Sequence, residues 1–357
     1  MSGPAPAEAS FGERVVAWQR VHGRNGLPWQ DTRDAYRVWL SEVMLQQTTV
    51  AAVLPYYARF VDAFADVASL AAAPIERVLE LWSGLGYYRR AHHLHAAAQR
   101  VVADHGGVFP SDAATLAALP GIGRSTAAAI AAFASGERGA ILDGNVKRVL
   151  ARHAGIAGWP GEPRVQALLW RAADARVPDH GIERYTQGMM DLGATVCVRR
   201  PRCLVCPVAD DCVARRDGRI DELPAPRPRR ALPQRELRVL LIERGNQILL
   251  ERRPATGVWG GLLSLPELAL DSDVASVLRE RYALAGGATR DLEPLTHGFT
   301  HFSLTMHPRC VSVAASADVR EPGGTVWLSR SEALDAALPS PIRKLLRAMV
   351  SSDVPTA

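Results

Sequence analysis

Apolar positions recur at helical spacing from residue 11 onward. Residues 11–22 carry Phe11, Val15, Val16, Trp18 and Val21 as the apolar side of a helix, which the Asn25-Gly-Leu-Pro28 turn ends. The same period runs from Tyr36 to Phe60, with a break predicted at Pro55. Glu42 falls among Val38, Trp39, Leu45 and Gln46, one turn before and one turn after it. Further helices are predicted over 74–82, 89–104 and 112–118, separated by Ser83-Gly-Leu-Gly86 and His105-Gly-Gly107. An alanine-rich helix opens at Ser125-Thr126 and runs to Phe133, another follows the Asp143-Gly-Asn turn, and the last cover 163–176 and 182–192. Short connections between almost purely helical elements predict an all-α domain.

Beyond it, Leu223-Pro-Ala-Pro-Arg-Pro-Arg-Arg-Ala-Leu-Pro-Gln-Arg-Glu236 holds four prolines and four arginines. It reads as an extended linker that buries nothing and is suited to lie along phosphates. The period then changes to that of strands: 237–243 and 247–252 flank the hairpin signal Arg244-Gly-Asn246, and further strands are expected over 300–313 and 325–328. With helices near 273–282 and 340–350 this makes a small α/β domain. The predicted organisation is a helical domain over 1–222, a linker over 223–236, a second domain over 237–350 and a tail over 351–357.

A chain of 357 residues is long for one core, which agrees with two domains. Its net charge of +5 suits a polyanionic partner. No apolar run reaches about 18 residues, so no membrane partner is expected. Met1 to Ser10 lacks the features of a signal peptide, so the expected location is the cytoplasm, and the expected state a monomer. Lys147 and Lys344 are the two lysines, so side-chain amines for imine chemistry are scarce.

The stretch Leu119-Pro-Gly-Ile-Gly-Arg-Ser-Thr-Ala127 places Gly121 and Gly123 in a tight turn before a helix, leaving backbone N–H groups free to meet a phosphate. Asp143 begins the next helix, as an N-cap or as a functional carboxylate. Glu42, if its side chain stays among its apolar neighbours, is desolvated, and its pKa rises as a general acid requires; the alternative is a glutamate rolled toward solvent. Of the five cysteines, Cys197, Cys203, Cys206 and Cys212 cluster with spacing that suits either zinc or a cubane iron-sulfur cluster in a reducing compartment, and Cys310 stands apart. His92, His93 and His95 crowd one helix without acidic or cysteine neighbours, which reads as a solvated or phosphate-facing surface.

Hairpin, downstream aspartate and four-cysteine loop together resemble the helix-hairpin-helix DNA glycosylase superfamily that includes endonuclease III. With Leu27-Pro-Trp29, Ser41-Glu-Val-Met-Leu-Gln-Gln-Thr48, Gly84-Leu-Gly-Tyr-Tyr88 and Met189-Met-Asp-Leu-Gly193, nearly the whole chain resembles the MutY family of adenine DNA glycosylases. The segment Leu250 to Leu262 is similar to that family's Nudix-like C-terminal domain, although the acidic helix that would hold magnesium is missing: 273–282 has Asp273 and Glu280 as its acids.

The resemblance implies several roles. A four-iron four-sulfur cluster would be held by the four cysteines, with five residues between the first two where the family more usually has six. Glu42 would protonate the leaving purine and Asp143, ionised at its helix start, would stabilise the sugar cation, with Asn145 orienting the aspartate or meeting the DNA backbone. Ser125 stands where bifunctional relatives carry an imine-forming lysine, which implies a monofunctional enzyme. Gln47 and Tyr87 match the wedge around the opposite base, with Thr48 beside them, and Gln187 matches a residue near the adenine pocket. Lys147, four residues after Asp143, is read apart from the resemblance as a phosphate contact. Phe299-Thr300-His301 matches the Phe-Ser-His motif that reads 8-oxoguanine. The implied substrate is duplex DNA with adenine opposite 8-oxoguanine or guanine. Rival readings are an oxidised-pyrimidine glycosylase of the endonuclease III type and a catalytically silent iron-sulfur DNA-binding protein.

Overall fold

The computed structural model describes residues 9–228, 231–314 and 324–352, with side chains through residue 349. The chain divides into two compact units, Met1–Ala72 with His93–Arg229, and Ala73–His92 with Arg230–Ala357. In chain order the helices are α1 (Phe11–His22), α2 (Ala35–Leu45), α3 (Val50–Ala63), α4 (Val67–Ala72), α5 (Ile75–Trp82), α6 (Arg89–His105), α7 (Ala113–Leu116), α8 (Arg124–Ser135), α9 (Gly144–His153), α10 (Pro163–Asp174), α11 (Ile182–Asp191) and α12 (Val213–Arg216), followed in the second unit by α13 (Val274–Tyr282), α14 (Arg330–Asp335) and α15 (Ser340–Ser352). Among the described residues no helix is long and apolar enough to cross a membrane.

The first unit is helical. Ser10 starts α1 with a capping box: its hydroxyl accepts from the Glu13 N–H at 3.3 Å, and the Glu13 carboxylate accepts from the Ser10 N–H at 2.7 Å. Val15 and Trp18 of α1 join Val149 and Leu150 of α9 and Tyr185 and Met189 of α11 in one apolar core. Trp39, Leu40 and Met44 bury the inner side of α2. Val21 departs from the expected pattern, being 74% exposed at the end of α1. Pro55 does not break the second helical stretch; it lies inside α3, past the first turn, and the helix continues beyond it without the one backbone bond that proline cannot donate. The break falls at 46–49 instead, because Gln47 turns the chain with a φ of 56°. The predicted helix over 112–118 shortens to the single turn of α7. Leu192–Val196 continues α11 as a turn of π-helix into the cysteine loop.

In the second unit β1 (Gln234–Arg244) pairs parallel with β7 (Ser303–Val313) and antiparallel with β2 (Gln247–Arg252), while β3 (Leu263–Ser264), β4 (Glu267–Leu268), β5 (Gly286–Asp291), β6 (Leu295–Gly298) and β8 (Thr325–Ser329) complete one sheet. One face, with Val239, Leu241, Leu250 and Met306, packs under Leu338, Ile342 and Leu346. The other, with Leu240, Ile242, Leu249 and Val311, packs on Val274, Leu278 and Tyr282 of α13. This alternation is what period-2 patterning between two helical layers produces. The linker is shorter than its composition suggested at both ends: β1 begins at Gln234, opposite Ser303, and Leu223 is buried at 2% exposure. Segment 73–92 belongs with this unit through Arg343, whose Nη2 donates to Ser83 Oγ at 2.7 Å, and Tyr88, whose hydroxyl donates to the Leu338 carbonyl at 3.1 Å.

Candidate active site and cysteine loop

Glu42 and Asp143 come together in the first unit, on α2 and at the N-cap of α9. Glu42 is half-buried, and desolvation, reinforced by the charge of Asp143, pushes its carboxyl from 4.5 to about 8. Burial raises Asp143 too, against the expectation that its helix start would hold it down. The N–H groups of Val146 and Asn145 and the charges of Arg148 and Lys147 oppose that rise without cancelling it. The pair is asymmetric: the charge of Asp143 acts on Glu42, so the proton stays on Glu42 while Asp143 is the anion. Val146 N–H donates to Asp143 Oδ1 at 2.7 Å. Asn145 meets Asp143 through its backbone, while its side-chain oxygen accepts from Arg148 Nη2 at 2.9 Å.

The hairpin precedes α8. Gly121 has a φ of +76°, and a Cβ there would lie 2.7 Å from His93 Cβ, so the turn and the close approach both require glycine. Gly123, the N-cap of α8, faces open space. Gln46 Nε2 reaches the Gly121 carbonyl and Thr126 Oγ1, both at 3.4 Å, joining the Gln-Gln-Thr segment to the hairpin. Ser125 does not point a free hydroxyl outward: it accepts from the Leu142 N–H at 2.8 Å. The histidines of α6 are not a solvated surface. His95 is 8% exposed, and His92 Nε2 lies 3.1 Å from the Gly260 carbonyl. Among the described residues no group of three His, Cys, Asp or Glu side chains is placed to hold a metal ion.

Beside α2 is a cavity of about 550 Å³ lined by Trp29, Val38, Ser41, Phe133, Arg184 and Gln187, among others. Neither Glu42 nor Asp143 lines it, but Val38 and Ser41 lie on the helix that carries Glu42. Asp191, fully buried, accepts from Arg24 Nε and from Gln187 Nε2, each at 2.7 Å. The sequence reading missed Arg24 and Asp191, although Asp191 lies inside the Met189 to Gly193 motif; a buried aspartate one turn beyond Gln187 was the available signal.

The wedge candidates share an unusual backbone. Gln47 and Tyr87, at φ values of 56° and 52°, are non-glycine residues in the left-handed region with exposed side chains, a strain typical of functional positions. Thr48 is half-buried and donates to the Gln46 carbonyl at 3.3 Å. Phe299-Thr300-His301 is not the start of a strand. It forms the turn between β6 and β7, closed by the Phe299 N–H to the Phe302 carbonyl at 2.8 Å, with Phe299 stacked on Phe302 and Thr300 and His301 exposed. Asp273 caps α13 by accepting from the N–H groups of Ala275 and Ser276, so that acid is occupied in holding a helix end.

Cys197, Cys203, Cys206 and Cys212 line one cavity with Val149, Val196, Val208 and Ile220. Two arginines of α9 that the sequence reading passed over grip this loop. Arg148 donates to the Cys197 and Gly193 carbonyls, both at 2.6 Å. Arg152 donates to Cys197 Sγ at 3.6 Å and to the carbonyls of Val198 and Leu223 at 2.6 and 2.9 Å. Four cysteines lining one largely apolar cavity, with Arg152 at one sulfur, supply the donor types of a thiolate-bound cluster, although among the described residues their side chains are not drawn together as a metal-binding group.

Residues 40–174 match the family model of the HhH-GPD superfamily base excision DNA repair proteins, and residues 238–348 match that of the NUDIX domain. The chain is 33% identical over 338 residues to the adenine DNA glycosylase of Buchnera aphidicola subsp. Acyrthosiphon pisum (strain APS), spanning 94% of this chain and 96% of that protein. It is 33% identical over 402 residues to the adenine DNA glycosylase of Homo sapiens, spanning 95% of this chain and 73% of the human protein. Among solved structures, a thermostable thymine-DNA glycosylase aligns with a TM-score of 0.52 at 26% identity, over 58% of this chain and 95% of that one.

Proposed function

The chain belongs to the adenine DNA glycosylase family, and on that premise we propose that it excises adenine from duplex DNA where the opposite base is 8-oxoguanine or guanine. The observation that carries this is the pairing of Glu42 on α2 with Asp143 at the N-cap of α9: burial and the charge of Asp143 push Glu42 up to about 8, while the Val146 N–H and the charges of Arg148 and Lys147 oppose the burial-driven rise of Asp143. Glu42 gives its proton to a ring nitrogen of the flipped adenine, which leaves with the bonding electrons of the glycosidic bond. Asp143 balances the positive charge that grows on the sugar, and water adds to the anomeric carbon, its released proton restoring the Glu42 carboxyl and leaving an abasic site. Ser125 supplies no amine, so strand cleavage is not part of the reaction.

The cavity beside α2, with Gln187 in its wall, is the seat for the purine; Gln47 and Thr48 in the first unit, and Tyr87 in the second, are each candidates to meet the duplex around the flipped base. Gly121, Gly123 and Lys147 meet the phosphates. Thr300 and His301, presented at the tip of the β6–β7 turn, read the oxidised guanine. The four cysteines would hold a four-iron four-sulfur cluster; that group supplies a fourfold thiolate crosslink, and Arg148 and Arg152 tie the loop it closes to the helix that begins at Asp143.

The test is to incubate the protein with duplexes that differ in one pair and to reveal abasic sites with hot alkali. Cleavage at adenine opposite 8-oxoguanine, less opposite guanine and none opposite thymine supports the proposal. Release of an oxidised pyrimidine without adenine would transfer the assignment to an endonuclease III type of enzyme, and binding without release to a silent DNA-binding protein.

A further inference from the structure

Gln187 and Asp191 stand one turn apart on α11 and are 8% and 0% exposed. Every hydrogen bond to Asp191 needs it as an acceptor: Oδ1 receives Arg24 Nε and Gln187 Nε2, both at 2.7 Å, and Oδ2 receives the Arg24 backbone N–H at 2.8 Å. A carboxylate so engaged offers only lone pairs, so the amide of Gln187 must turn its nitrogen toward it. The orientation of that amide thus follows from its partner's chemistry. Its oxygen is left on the far side, in a residue that lines the 550 Å³ cavity, with no hydrogen-bond partner among the described residues. That oxygen is not sealed from solvent, so an incoming donor can take the place of the water it would otherwise meet.

We propose that Asp191 is a positioning residue that sets base specificity: by locking the Gln187 carboxamide with its oxygen free, it admits a purine bearing an amino group at C6 and rejects one bearing a carbonyl there. The inference rests on the proposed adenine excision and deepens it. An amino group donates to the waiting oxygen, whereas a carbonyl brings two sets of lone pairs together and leaves both unpaired once the base has displaced the water between them. Sites built around a buried hydrogen-bond partner discriminate strongly against analogues that cannot complete it. The Arg24 clamp is what makes the device rigid, because it fixes both oxygens of Asp191 before any base arrives.

The experiment compares single-turnover release of adenine and of hypoxanthine, each opposite 8-oxoguanine, by wild type, Asp191→Asn and Gln187→Leu. The ratio of the two rates cancels the difference in leaving-group reactivity when it is compared between proteins. Asp191→Asn, which frees the amide to turn, should narrow the wild-type preference for adenine by about tenfold or more while DNA binding is retained. Gln187→Leu should narrow it by slowing adenine alone, and it leaves the Arg24–Asp191 pair intact should Asp191→Asn fail to fold. Equal slowing of both bases by a folded variant, with the ratio within about twofold of wild type, overturns the inference and leaves Asp191 as a strut for Arg24. Wild type that releases hypoxanthine as readily as adenine also overturns it. Release of neither base by wild type would instead sink the proposed function, and this inference with it.

Discussion

Ser125 Oγ accepts the backbone N–H of Leu142 at 2.8 Å, so the residue that opens the hairpin helix holds the segment immediately before Asp143. Leu142 is 4% exposed, and without this acceptor its N–H is left unpaired. Ser125→Ala should therefore destabilise the fold by about 1–3 kcal/mol, measured by urea unfolding, and slow excision by loosening Asp143. Ser125→Thr, which keeps the hydroxyl, should lose less.

Gly193 packs against the same helix start. A Cβ there would lie 2.6 Å from Asn145 Cβ and 2.9 Å from the Asn145 carbonyl carbon, and backbone cannot give way as a flexible side-chain end can. Gly193→Ala is expected to cost about 1–3 kcal/mol of stability and to displace the first turn of α9. Thermal unfolding together with single-turnover excision would measure both effects, and an unchanged protein would show that this contact relaxes without consequence.

The pH profile follows from the two carboxyls. The proposed reaction requires Glu42 protonated and Asp143 ionised, so the rate should be bell-shaped, falling above about pH 8 as Glu42 loses its proton and falling on the acid side at a pH above the ordinary aspartate value. Stability has the opposite dependence from that of an ion-paired acid. Because the folded pKa of Glu42 is raised, the folded state binds more protons than the unfolded chain between 4.5 and about 8, and stability falls as pH rises through that window. Glu42→Gln should flatten this slope; an unaltered slope would mean that Glu42 titrates as an ordinary surface acid.

Arg343 connects the second unit to its own segment 73–92 by donating to Ser83 Oγ at 2.7 Å and to the Ala336 carbonyl at 2.7 Å. That segment presents Tyr87 from a loop whose flanking glycines, Gly84 and Gly86, also have positive φ. Arg343→Ala should therefore reduce discrimination between 8-oxoguanine and guanine opposite adenine more than it reduces salt-sensitive binding to undamaged duplex. Equal losses on all duplexes would point to a purely structural contact.

The helical domain was legible in the sequence because amphipathic periodicity survives wherever one face of a helix is buried, as at Val15, Val16 and Trp18. Pro55 misled because an interior proline can cost a helix a backbone bond without ending it, whereas the true break is the left-handed backbone of Gln47, a non-glycine residue whose propensity announces no turn. β5 escaped notice for a different reason: Gly286–Asp291 is exposed at every position, so it carries no alternation to detect. Of the site, the cysteines were visible through their spacing, whereas Glu42 and Asp143 were singled out by the family resemblance from alternatives that the residues alone left open. Arg24, Arg148, Arg152 and Asp191 were not, since their parts are played by hydrogen bonds across more than forty residues of sequence, as from Arg148 to Cys197.

The central claim is that Glu42 delivers the proton that releases adenine, and its most direct test is the single-turnover rate of Glu42→Gln on duplex with adenine opposite 8-oxoguanine. The amide keeps the size and hydrogen-bonding capacity of the side chain and removes the transferable proton. The variant should bind this duplex as wild type does and release adenine about a hundredfold to ten-thousandfold more slowly. Retention of more than about a tenth of the wild-type rate would contradict the account.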